Sequence, residues 1–327
     1  MSVHRIFVLV LGVCLCTSGQ GHAQAGAELT SFPLLRFSPS ARSAALGGAF
    51  ASVADGDVMG LFHNPALLGP ATSRSVGLSY QNHLSDINAG TLAYSHTIRG
   101  LGTTVGGGLR FVHWGELEGR NEFGEPTGSF NAGDVALSLS AARAFGARWR
   151  YGATVHVVHA GIETARATAL AGDVGVLYRW PAQQLSVGAS LRNAGTVLDG
   201  FGPDDDETLP LDLRLSVSKQ LAHLPLRITI SGYDLTTIDE GLPGGSTTDD
   251  VLAHIVVGGE VQIGSAFRAR AGYNHRQSQE LSFDNRLDLA GLSGGFGVVV
   301  GQLTIDYAYS SWSDLGGLHQ FTLRADV

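Results

Sequence analysis

Leu211-Asp-Leu-Arg-Leu-Ser-Val-Ser218 alternates with a period of two: Leu211, Leu213, Leu215 and Val217 on one side, Asp212, Arg214, Ser216 and Ser218 on the other. Successive side chains of a strand point to opposite faces, so this stretch is a strand with one apolar and one polar face. The rhythm recurs in Leu185/Val187/Ala189/Leu191 against Ser186/Gly188/Ser190/Arg192. It recurs again in Leu226/Ile228/Ile230 against Arg227/Thr229/Ser231, and in Leu303/Ile305/Tyr307/Tyr309 against Gln302/Thr304/Asp306/Ser310. About fourteen such segments fill Arg74 to Val327. They begin near Arg74, Ala89, Thr103, Ser129, Arg148, Thr168, Gln184, Leu209, Leu224, Val251, Ala266, Ser282, Gly297 and Leu318.

A soluble sandwich alternates too. The segments here run about 9 to 14 residues, longer than soluble strands and long enough to cross a bilayer tilted. Their polar faces carry small residues with Arg, Asp and Gln, as a barrel lumen does. Trp114, Trp149, Trp180, Trp312, Tyr80 and Tyr178 fall near segment ends, where an interfacial girdle belongs. An export signal completes the case. Arg5 and the apolar run Ile6 to Cys16 lead to Ala23-Gln24-Ala25, so Met1 to Ala25 reads as a cleaved secretory signal. A lipoprotein signal is the competing reading of Cys14 and Cys16, but Val13 and Leu15 precede them where a small residue is needed. The expected fold is all-β: a transmembrane antiparallel barrel of about fourteen strands over 74–327 in the bacterial outer membrane. An even count puts both termini on the periplasmic side and the longer connections outside.

Composition narrows the function. The 327 residues include 45 Gly, 20 Arg and one Lys, Lys219, with a net charge of −8. No run of basic residues forms a stripe for a phosphate backbone, which excludes nucleic acid as a partner. Both cysteines leave with the signal, which excludes disulfides, thiol catalysis and zinc–thiolate sites. Gly291-Leu-Ser-Gly-Gly295 matches a nucleophile elbow, but a strand follows it, so it reads as a hairpin turn. His156 and His159 lie three apart in a strand, on opposite faces, and cannot share a metal. Asp204 to Glu207 could hold calcium through carboxylates, yet a solvated outer loop explains the same run. No cofactor and no metal is called for, and no Ser–His–acid set for a lipid hydrolase can be assembled from the sequence.

Between signal and barrel, 26–73 lacks the strand rhythm and reads as a plug. Arg42, Gly47, Gly48, Asp55, Asp57, Asn64 and Pro65 are its candidate site residues. Gly47-Gly48 suits close approach to the wall. Asp55-Gly56-Asp57 is a turn able to cap a helix. In Asn64-Pro65 the proline fixes φ and leaves the Asn amide free to bond backbone, as a latch from plug to barrel or as a gate.

Phe32-Pro-Leu-Leu-Arg-Phe-Ser-Pro-Ser-Ala-Arg-Ser-Ala-Ala-Leu-Gly-Gly-Ala-Phe50, Asp55-Gly-Asp57 and Leu61-Phe-His-Asn-Pro-Ala-Leu-Leu68 together resemble the opening of the PorV/PorQ family. Further pieces resemble its PorQ branch. They are Ser79-Tyr-Gln-Asn-His-Leu-Ser-Asp-Ile-Asn88, Arg110-Phe-Val-His-Trp-Gly115, Phe130-Asn-Ala-Gly-Asp-Val135, Arg192-Asn-Ala-Gly195, Leu209-Pro-Leu-Asp-Leu-Arg214 and Lys219-Gln-Leu-Ala-His-Leu-Pro-Leu-Arg227. The resemblance implies a fatty-acid-transporter-like barrel of fourteen strands in the attachment complex of the type IX secretion system. There it would anchor a PorZ-like surface protein, beside a PorU-like sortase and a PorV-like barrel, and help attach secreted cargo to lipopolysaccharide. It assigns no catalytic residue. One departure is the final Asp326-Val327, where outer-membrane chains ordinarily end in an aromatic residue; Phe321 and Leu323 keep the apolar face of the last strand. The alternative function is an outer-membrane channel for hydrophobic small molecules. A surface partner would dock on the outer loops Glu116 to Gly128, Asp199 to Leu209 and Thr236 to Asp250, with Phe123 and Phe201 as the aromatic anchors.

Overall fold

A computed structural model describes residues 32–83, 86–202, 207–238, 247–281, 289–312 and 316–327. The signal segment, Asp204 to Asp206 and 239–246 of the third outer loop lie outside the described residues. The barrel is closed and antiparallel, each strand pairing with its chain neighbours and the last with the first. The strands are β1 Ser75–Asn82, β2 Asn88–Ile98, β3 Thr103–Arg120, β4 Pro126–Phe145, β5 Trp149–Ile162, β6 Ala165–Trp180 and β7 Leu185–Asp199. The second half comprises β8 Asp212–Gln220, β9 Leu226–Gly232, β10 Ile255–Ile263, β11 Phe267–Asn274, β12 Leu292–Val300, β13 Leu303–Ser311 and β14 Gly317–Asp326. Closure from Ser75↔Asp326 to Asn82↔His319 removes every edge, as hydrocarbon requires of a spanning sheet.

The two faces are reversed from those of a soluble protein. On β8, Asp212, Arg214, Ser216 and Ser218 are buried inside while Leu215 and Val217, with Leu211 just before the strand, are exposed outside. The outward row continues through Leu137, Leu139, Val155, Val157, Val174, Val176, Ile230, Ile305, Phe321 and Leu323. Apolar surface outside and polar surface inside is stable only against lipid. The chain is an outer-membrane barrel.

Strand number matches the sequence reading, but positions and lengths depart from it. The expected starts at Ser282 and Gly297 correspond to strands that begin at Leu292 and Leu303; Ser282 itself lies outside the described residues, and His275–Leu281 before it is a short helix. Gly291-Leu-Ser-Gly-Gly295 is therefore the start of β12 and not a hairpin turn; only Gly291, at φ 77, lies in the preceding turn. β3 and β4 reach 18 and 20 residues, beyond the expected range. β2 ends at Asn88↔His113 and β5 at Ala132↔Ile162, so the Glu116↔Asn131 to Arg120↔Pro126 pairs form a ribbon standing above the barrel. All long connections lie at this outer end, and the end bearing Ser75 and Asp326 has short turns, as for periplasmic termini. The girdle also differs. Trp149, Tyr178 and Trp180 cluster at the periplasmic rim, whereas Trp114 packs inward against Phe37 and Trp312 against His83.

The core lies between wall and plug. The plug runs through short turns and one helix, α1 Ala41–Ala45, whose Ser40 and Ser43 cap each other's backbone. Phe32, Leu34 and Leu35 pack against Ala89, Ala136, Ala160, Ala167 and Ala169 of the wall. Lower down, Val58, Met59, Leu61, Phe62 and Leu68 meet Ala93 and Ala142. Small wall residues make the lumen wide enough for the larger plug side chains.

Candidate functional site

Arg42 sits at the centre of the plug, 1% exposed. Its Nη1 and Nη2 donate to Asp55 at 2.8 and 2.6 Å, and Nε and Nη2 donate to Glu260 on β10 at 3.0 and 2.9 Å. The guanidinium also lies 3.4 Å from Asp57. The wall extends the network. Arg227 bonds Asp55 and Glu260; Arg270 bonds Glu260 at 2.7 Å and Asp306 at 2.6 Å; Arg324 bonds Asp306 at 2.9 Å and lies 3.4 Å from Asp57. Four guanidinium groups thus meet four carboxylates. Buried charges are tolerated when paired, as Arg42, Glu260, Arg270 and Asp306 are, while Asp55 opens onto the periplasmic pocket. Burial would push the Arg42 guanidinium down, but Asp55, Glu260 and Asp57 hold it well above its ordinary value. Burial likewise pushes the Asp55 carboxyl up, and Arg42 with Arg227 overrides this to hold it well below the carboxylate range.

Asn64 bridges the plug and the opposite wall. Its Nδ2 donates to Ala51 O at 2.8 Å and to the wall carbonyls of Val176 and Ala189 at 3.2 and 3.4 Å. Its Oδ1 accepts from Ala66 N at 2.9 Å, capping the Pro65–Leu67 turn. Asn64 and Pro65 press on Gly175 and Gly152, where any Cβ would collide with them. Asp57 caps the preceding turn, Val58–Phe62, accepting from Met59 N at 3.0 Å. Gly47 and Gly48 both have positive φ, 89 and 91. Only Gly47 makes the close approach, since a Cβ there would strike Val256, while one on Gly48 would meet nothing.

On the other side of the plug, Arg192 and Arg214 share Asp212 at 3.2 and 2.5 Å, and Arg214 donates to His63 Nδ1 at 3.1 Å. Burial, then Arg214, Arg192 and Arg110, push His63 well below its ordinary value, so it stays neutral. Arg110 lies over the Phe62 ring at 5.1 Å.

A Ser–His–acid set does assemble, through a strand register that residue spacing could not predict. Ser138 Oγ lies 2.7 Å from His156 Nδ1, and His156 Nε2 lies 2.9 Å from Asp173. Ser138 and His156 are direct partners across β4 and β5, a register that residue spacing does not reveal. Ser138 is 2% exposed, so no substrate carbonyl reaches it, and the two imidazole nitrogens hold the opposite partners from those of a hydrolytic triad. Together with Ser140–Thr154 it forms a polar cross-strand ladder. His156 faces inward and His159 does not, as their spacing predicts.

Two pockets of about 310 and 320 Å³ open at the outer and periplasmic mouths. They have no lining residue in common, and α1 stands between them. Of the two loop aromatics, Phe123 is 80% exposed at the ribbon tip. Phe201 instead packs against the cluster of Phe32, Leu34 and Leu35, and is not a free anchor.

The fold and site define an outer-membrane barrel of fourteen strands with an internal plug. No protein-family profile matches the chain, and no curated protein matches it. Solved structures share its fold. The toluene transporter TodX of Pseudomonas putida is 13% identical, with a TM-score of 0.58, covering 86% of this chain and 95% of that one. The monoaromatic hydrocarbon channel CymD is 13% identical, with a TM-score of 0.54, covering 90% and 97%. A FadL homologue of Pseudomonas aeruginosa is 12% identical, with a TM-score of 0.52, covering 88% and 98%. At such identity the likeness is one of fold.

Proposed function

We propose that the chain is a non-enzymatic outer-membrane scaffold of the type IX attachment complex, anchoring a PorZ-like surface protein beside a PorU-like sortase and a PorV-like barrel. The observation that carries this is the filled lumen. A plug pinned on one side by eight paired charges and on the other by Asn64 separates the two mouths. A barrel built this way offers its outer surface, including the β3–β4 ribbon, more readily than a pore. The plug sequence, through its likeness to the PorV/PorQ family, supplies the family part of the reading. Deleting the gene should release secreted cargo into the medium, and the surface partner should co-purify with the barrel. Cargo that stayed attached to lipopolysaccharide in the deletion strain would sink the proposal.

A different observation favours a second reading. The solved structures of like fold are named as hydrocarbon channels, which supports a channel for hydrophobic small molecules better than it supports an anchor. Uptake of labelled fatty acid or toluene separates the two. Uptake that depends on the barrel selects the channel; unchanged uptake with lost cargo attachment selects the scaffold.

A further inference from the structure

The pocket at the outer mouth, of about 310 Å³, has the size of a small-ligand site. One side is aromatic: His83 stacks on Phe37 at 5.8 Å and meets Trp312 edge-on at 4.7 Å. The lining also carries four buried polar atoms without a protein partner: Gln81 Oε1, Ser293 Oγ and Gln320 Oε1, and Nε1 of Trp312 itself. Gln81 and Gln320 are 6% and 3% exposed and face each other across β1 and β14. Gln320 Nε2 donates to Ser38 O and Ser79 Oγ, both at 3.0 Å, which fixes its Oε1 as a free acceptor. Charge is not what the pocket offers. Among the described residues no carboxylate lines it, and its Arg36 and Arg214 are engaged by Asp234 and Asp212. On the plug, Gly48 leaves open space, since a Cβ there would meet no described atom within 4 Å.

We infer that this pocket binds a sugar residue. The polar groups comprise two acceptors, one donor and one hydroxyl able to act as either. A hydrocarbon entering here would cover all four and bond none, which is the costly outcome for buried polar groups. Sugar hydroxyls donate and accept, so one ring can match the whole set while its C–H face lies on Phe37 and Trp312. The inference rests on neither functional reading given above. The ring could come from a free saccharide or from the glycan of lipopolysaccharide.

The test is saturation-transfer NMR on the purified full-length barrel, with methyl hexopyranosides, delipidated lipopolysaccharide glycan and toluene as probes. Saturation transfer to a sugar probe is expected, weakened about tenfold or more in Gln81→Leu, with no displacement by toluene. Heat-modifiability verifies that the variant is folded. Should Gln81→Leu fail to fold, Trp312→Phe keeps the aromatic wall, removes the free donor and should weaken binding in the same direction. Binding of both sugar probes supports recognition of the ring itself, and binding of the glycan alone, sensitive to Gln81→Leu, assigns it to the surface polysaccharide. Absence of sugar binding to the folded parent overturns the inference. So does displacement by toluene with full binding retained in Gln81→Leu.

Discussion

Asn64→Leu isolates the contact between plug and wall. The side chain is wholly buried and has four partners: the Ala51, Val176 and Ala189 carbonyls, which share its two amide hydrogens, and Ala66 N, from which its Oδ1 accepts. Losing the cap costs about 1 kcal/mol. Leaving the carbonyls without the amide, buried against an apolar end, adds about 1–3 kcal/mol. The branched end of Leu must also fit over Gly175, where there is no slack, for about 1 kcal/mol or more of overpacking. A total of about 3–5 kcal/mol raises the undocked fraction of the plug at least about a hundredfold. It falls on plug docking, because the fourteen strand pairings do not pass through Asn64. Limited proteolysis should therefore cut the segment before Ser75 much faster in the variant, while the barrel stays heat-modifiable. An unchanged digestion pattern would refute the latch, and loss of heat-modifiability would show that the plug is part of the barrel's folding unit.

Arg42→Met removes the centre of the charge network; Glu260 keeps Arg270 and Arg227, so the cost is about 3 kcal/mol, read as faster plug proteolysis and relieved by adding Asp55→Asn. Acid should loosen the plug in two stages. His63 and Asp55 both have depressed values when docked, so each contributes stability that is complete above its ordinary pKa and is lost as pH falls towards the docked value. His63 starts this loss below about 6.5 and Asp55 below about 4, and a digestion-rate profile flat from pH 7 to about 3 would contradict it. Phe123→Ala should weaken capture of the surface partner by about 1–3 kcal/mol with no change in barrel stability, measured by retention on immobilised variant barrels. Phe201→Ala should instead loosen the packing around Phe32 and Leu34, seen as plug proteolysis.

The wall was legible because its pattern has period two and its faces differ in polarity. Asp212 to Ser218 reads as a strand without any tertiary information, and closure follows from the count. The error over β12 has a local cause: His275–Leu281 is a helix of seven residues, too short for helical periodicity to register against the strand rhythm. The plug motif named Arg42, Asp55, Asp57 and Asn64, but their partners required register. Glu260, Arg270, Asp306 and Arg324 lie on four different strands, and only the pairings Glu260↔Arg270 and the Arg324–Asp306 contact between β13 and β14 bring them to one depth. One signal was available: each is a charged residue on the inward face of its strand. The same logic explains Trp114 and Trp312, whose positions near strand ends fit a girdle equally well, while only the bulge after His113 and the rings of Phe37 and His83 turn them inward.

The imbalance of 20 Arg to one Lys becomes a structural statement at this point. An ammonium group is a strongly hydrated point charge, costly to bring into a packed lumen, whereas a guanidinium group is flat, weakly hydrated and carries five donors in a fixed fork. Arg42 uses that fork to hold Asp55 and Glu260 at once, and Arg270 to hold Glu260 and Asp306. Arg192 spans a wall carboxylate and a plug carbonyl, Asp212 and Leu35 O. Arg150 reaches the plug carbonyl of Leu67 at 3.2 Å. Each of these joins two structural elements through one side chain, which a lysine cannot do with comparable geometry. The lone Lys219 donates to Gln183 O at the exposed periplasmic rim, outside the packed lumen. Replacing Arg270 by Lys would keep the charge and forfeit one of the two bridges, so Glu260 and Asp306 would compete for a single ammonium group. The selection for arginine therefore follows from a lumen that is filled and cross-linked by its plug.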